Sequence, residues 1–118
     1  MERALNDKHA LKDKQLKARL YFTLGQIAYR KQKFIRAAGY FNIVNSKISG
    51  TSFSDQALFW EAMSFYSLQK FRKAIHIFTT LIKTFPESPH IADTYMKMGD
   101  SFYNLKQSRE SEYYYKLV

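Results

Sequence analysis

Cysteine is absent, so the chain holds no disulfide, no thiolate nucleophile and no cysteine-bound metal. Glycine and proline are scarce, four and two in 118 residues, which favours long helices over a strand-and-turn fold. No apolar run approaches the roughly 18 residues needed to span a bilayer. The opening segment, Met1 to Lys8, lacks the apolar core of a secretory signal, so an exported form would need a signal outside this sequence. His9, His76 and His90 are scattered, without a partner at metal-ligand spacing. No glycine-rich phosphate loop and no nucleophile motif occurs. Glu61 and Asp100 fall on different segments, with no second carboxylate at the same level. These absences point away from an enzyme, and no catalytic residue, metal or cofactor is assigned.

What is present is a generous core supply. Hydrophobic residues make up 46% and aromatics 17%, enough for one domain or a short repeat array. The formal net charge of +9 is unevenly placed. Residues 1–36 hold ten Lys/Arg against three Asp/Glu, a net of +7. A basic lead of this kind suits a solvated helix, or contact with nucleic acid, an anionic surface or an acidic protein.

The chain repeats. Shifted by 37, Gln32-Lys33-Phe34 falls on Gln69-Lys70-Phe71. Tyr29 falls on Tyr66 and Tyr103, and Phe41 on Phe78 and Tyr115. Gly25 falls on Ala62 and Gly99, and Ala37 on Ala74 and Ser111. Both steps keep the same offset without gaps. Within the second unit, Ala57, Leu58, Ala62, Phe65 and Leu68 have helical spacing, and so do Ala74, Ile75, Phe78, Leu81 and Ile82. Each unit is therefore predicted to be a helix hairpin. Ser54 with Asp55 suits a helix start, and Ser88 is expected to cap a helix with Pro89 at its first position. The small residues let the two helix backbones approach, and such hairpins must stack to bury their apolar faces.

At these residues the pattern resembles the tetratricopeptide repeat. Tyr21, Leu24-Gly25, Ala37 and Phe41 carry it in the first unit. Leu58, Ala62, Phe65, Ala74, Phe78 and Pro86 carry it in the second. Tyr95, Met98-Gly99, Phe102, Ser111 and Tyr115 carry it in the third. The family repeats at about 34 residues, so the links here are longer. The resemblance implies an all-α fold: a right-handed superhelical stack of three helix hairpins with an N-terminal helical extension. Residues 1–17 form the basic lead-in and 18–118 the repeat domain, with units at about 18–50, 54–87 and 89–118. The stretch from Phe85 to Tyr103 resembles the subclass found in bacterial cell-envelope proteins, which implies an envelope or periplasmic setting, with the cytoplasm as the other reading.

In such a stack the first helices line a concave face. The resemblance points there to Phe22, Gln26 and Tyr29, then Phe59, Met63 and Tyr66, then Met96, Asp100 and Tyr103. Tyrosine gives area and a hydroxyl, and methionine adapts to irregular surfaces, so the expected guest is a peptide or helix of another protein. Phe22 and Gln26 replace polar positions that some members use to clamp acidic C-termini, so no such clamp is expected. Leu5, Leu11, Leu16 and Leu20 are read as a weak apolar stripe along the lead-in. At the other end, Tyr113, Tyr114, Leu117 and Val118 form a possible second interface, for a partner or for self-association. The alternative functions are a basic nucleic-acid or anionic-surface binder, marked by the basic N-terminal third and the basic hairpin turns at 30–33, 70–73 and 106–109, and an oligomerisation module of a larger protein. No nucleic-acid motif accompanies the basic residues.

Overall fold

The computed structural model describes residues 2–118, with side-chain surroundings from residue 9 onward, so the Leu5 side chain lies outside the described residues. The described chain is all helix: α1 (Glu2–Arg30), α2 (Phe34–Ser46), α3 (Ser54–Ser67), α4 (Phe71–Thr84), α5 (Ile91–Asn104) and α6 (Ser108–Lys116). Successive helices pack as hairpins and the hairpins stack side by side. The stack measures 58 × 30 × 17 Å.

The 37-residue period governs the backbone itself. The first helices end at Arg30, Ser67 and Asn104, and the second helices start at Phe34, Phe71 and Ser108. Between them Gln32, Gln69 and Lys106 take left-handed φ values of 60°, 62° and 62°. At each turn the left-handed residue's N–H reaches back to Tyr29, Tyr66 or Tyr103, and the next N–H reaches Ala28, Phe65 or Phe102. These paired bonds satisfy the last carbonyls of each first helix in the manner of a Schellman cap.

Small residues sit where they were expected, and the reason is measurable. A methyl built on Gly25 would lie 2.6 Å from the ring of Phe41, and one on Gly99 would lie 2.5 Å from the ring of Tyr115. In the first and third units the aromatic of the second helix thus packs directly on the bare backbone of the first helix, and the second unit keeps only the small Ala62 there. Ala37 and Ala74 are fully buried at the same crossing, and the Ser111 hydroxyl donates to the Gly99 carbonyl at 2.8 Å.

One detail differs from the sequence reading. Ser88 does not cap α5. His90 occupies that position and α5 starts at Ile91, so Pro89 precedes the helix. The Ser88 hydroxyl is instead engaged by the link: it donates to Asp55 Oδ2 at 3.0 Å and accepts from the His90 N–H. Ser54 opens α3 as the sequence predicts, and its hydroxyl accepts from the Thr51 N–H of the preceding link. The extra length of the links has a use, since Ile48 and Thr51 are buried there and Ile48 joins the core of the first hairpin.

The lead-in is not a separate element. Helix α1 runs unbroken into the first hairpin, and Gln15 accepts a bond from Ser52 in the following link. Nine residues are about two and a half turns, so Leu11 and Leu20 point to opposite sides of α1 and share no stripe.

Candidate functional site

The first helices present their predicted residues in register, but each level is roofed by the next unit. At the first level this removes two candidates. Phe22 and Phe59 are each only 6% exposed. The Phe22 ring lies 5.6 Å from Phe41 and 5.5 Å from Phe53. The Phe59 ring lies 6.0 Å from Phe78 and 4.7 Å from His90. Phe53 and His90 occupy equivalent places in the two links, so the long links fold over these side chains and make them core. Their counterpart Met96 has no such cover and is exposed.

The tyrosine level follows the same rule. Tyr29 packs edge-on against Phe34 and Trp60, and its hydroxyl bonds Ser67 Oγ at 3.1 Å, tying α1 to α3. Tyr66 packs edge-on against Phe71, with Lys97 Nζ 4.9 Å from its ring centre. Burial, then the nearby Asp100 carboxylate, raises the Tyr66 phenol above its ordinary pKa. Tyr103, last in the row, is 68% exposed. Asp100 accepts a hydrogen bond from the Tyr115 hydroxyl, whose pKa is pushed up to about 12 by burial and by that carboxylate.

These residues frame two hollows. Gln26, Tyr29, Arg30, Phe41 and Trp60 enclose about 200 Å³ between α1 and α3. Met63, Tyr66, Ser67, Gln69, Lys97 and Asn104 line about 460 Å³ around α3 and α5. Trp60, Ser67, Lys97 and Asn104 were not anticipated. Trp60 and Lys97 share one repeat position, which a composition-blind comparison of the units would have flagged.

A further cleft of about 680 Å³ opens between α2 and α4, with Glu61 among its lining residues. Glu61 is 7% exposed and accepts from Asn42 Nδ2 and Asn45 Nδ2, both at 3.2 Å. Burial raises its pKa, against the lowering effect of the two amide donors and of the Lys73 charge. Sequence spacing did not reveal this cluster, because its members come from two repeats. Of the terminal residues, Tyr113, Leu117 and Val118 are exposed. Tyr114 is half-buried and stacks on Phe102 at 5.4 Å with planes 7° apart, so it belongs to the hairpin's own packing rather than to a free surface.

Residues 56–88, covering α3 and α4, match the family model described as tetratricopeptide repeat. The chain is similar to the crystal structure of the TPR domain of Arabidopsis FLU, with a TM-score of 0.74 at 17% identity, over 88% of this chain and 92% of that one. No curated protein matches the chain. The second hairpin thus matches the tetratricopeptide-repeat model, and the chain as a whole has the helical repeat fold of such a domain. Domains of this kind are typically non-catalytic modules of protein–protein interaction. Among the described residues no helix is long and apolar enough to cross a membrane.

Proposed function

We propose that this protein is a non-catalytic scaffold that holds a peptide segment or helix of another protein on the face formed by α1, α3 and α5. One observation carries the reading: Met96 and Tyr103 stand exposed on α5 beside the hollow of Met63, Tyr66 and Lys97. Exposed tyrosine and methionine next to a preformed hollow offer area at low entropy loss, with hydroxyl and ammonium donors for a guest backbone. Gln26 and Tyr29 extend the same row to α1, and Asp100 closes it.

The test is affinity capture with wild type beside Met96→Ala with Tyr103→Ala. Both side chains are exposed, so the variant keeps its fold, which circular dichroism checks. Loss of one specific protein supports the reading, and an unchanged set of partners counts against it. Tyr29 is a poorer probe, because its hydroxyl and ring hold α1 to α3.

We further propose residues 18–118 as the working repeat domain and a bacterial cell-envelope setting. The second rests on the resemblance of the Phe85 to Tyr103 stretch alone, and fractionation of cells producing the protein from its natural gene tests it. A second reading is self-association through Tyr113, Leu117 and Val118, favoured by their joint exposure. Sedimentation gives a concentration-dependent dimer if it holds and a clean monomer if it does not.

A further inference from the structure

The inner first helices bury two faces, one against their own hairpin and one against the second helix of the unit before. On that second face the side chains are small. Helix α3 places Ala57 and Ser64 there, and α5 places Thr94 and Ser101, all fully buried. The hydroxyls of Ser64, Thr94 and Ser101 bond the carbonyl four residues back in their own helix, so they enter the interface without an unmet donor. Small, self-satisfied side chains let the preceding helix come close.

Helix α1 carries Leu20 and Ile27 at these same two positions, 54% and 45% exposed. With Leu16, also exposed, and half-buried Leu24, they form an aliphatic ridge spaced four, four and three. The ridge is about 16 Å long and one side chain wide. Leucine and isoleucine fill the space that alanine and serine leave open further along. A hairpin therefore does not seat on α1 as the hairpins seat on one another. The ridge is built for a different occupant.

We propose that this outer face of α1 docks an acidic amphipathic helix of another protein. Lys17 borders the ridge on one side and Lys12 and Arg19 on the other, all exposed. Between residues 9 and 30, Asp13 is the one acidic side chain on α1. An aliphatic seam flanked by cations selects a helix with leucine-type residues inside and carboxylates at its edges. A second copy of α1 would bring like charges together along both edges. A membrane surface favours a broad apolar face with interfacial aromatics, and this ridge is narrow and aliphatic.

Fluorescence anisotropy with a designed peptide of about 21 residues tests it. The peptide carries leucine at three-and-four spacing and glutamate on both flanks, and a sister peptide has lysine for every glutamate. The glutamate peptide is expected to bind in the micromolar range, with Leu20→Glu weakening it at least about tenfold. Leu20→Ala with Ile27→Ser, which installs the residues of the inner units, has the same effect at unchanged helix content. Tyr103→Ala leaves binding intact, which keeps this face distinct from the concave one. No binding, equal binding of the lysine peptide, or indifference to Leu20→Glu overturns the proposal. So does a dimer that Leu20→Glu dissolves, or Leu20-dependent capture by phosphatidylglycerol vesicles without peptide binding.

Discussion

Three left-handed residues set the geometry of the stack, and none is glycine. Gln32, Gln69 and Lys106 each hold φ near 60° at the hairpin turn. A side chain in that region costs roughly 1–2 kcal/mol from contact of Cβ with the following carbonyl. Replacement by glycine removes the contact but frees the unfolded chain, which returns about 0.5–1 kcal/mol. The net gain is about 0.5–1 kcal/mol at each turn. The three positions recur 37 residues apart and share no partner, so their effects add to about 1.5–3 kcal/mol. At this chain length the triple variant melts on the order of 10 °C higher. Urea titration followed by circular dichroism measures each variant, with Gln26→Gly, within helical α1, as the control that loses about 1 kcal/mol. A loss at any of the three turns like that of the control would refute the account of the repeat's backbone.

Other outcomes follow from the packing and charge of the core. Gly25→Ala drives a methyl into the fully buried Phe41 ring, so overpacking of about 1–3 kcal/mol outweighs the helix gain of about 1 kcal/mol. Gly99→Ala meets Tyr115, a ring exposed enough to swing aside, so in the same urea assay it is the more stable of the two. Glu61 has a folded-state pKa above its ordinary value, chiefly through burial. Its contribution to stability is therefore complete below the unfolded carboxylate's pKa and is lost as pH rises through the folded one. The stability of Glu61→Gln relative to wild type should rise between pH 4 and pH 7, and a flat or falling difference would reject that sign.

Much of the fold was legible because a single offset carries it. The glycine and alanine positions, the large aromatics and the turns all recur at 37, and helices, turns and left-handed residues recur with them. The longer links were also visible, but their consequence was not. Spacing along α1 and α3 puts Phe22 and Phe59 on the same side as Tyr29 and Tyr66, yet only tertiary folding brings Phe53 and His90 over them. Leu11 was grouped with Leu20 by composition rather than by angle, and helical geometry separates them. The Glu61 cluster escaped because Asn42 and Asn45 lie in one repeat and the carboxylate in the next. Contacts between units, unlike those within a unit, leave no periodic mark when the residues involved differ from repeat to repeat.

Site-specific photo-crosslinking probes the face formed by α1, α3 and α5 most directly. A benzophenone side chain replaces Met96 or Tyr103 on that face, and Lys83 on the exposed side of α4. Crosslinks from positions 96 and 103 to one defined segment of a guest polypeptide, with none from 83, are the expected result. Crosslinks as strong from 83, or none from 96 and 103 while the partner is still bound, would contradict it.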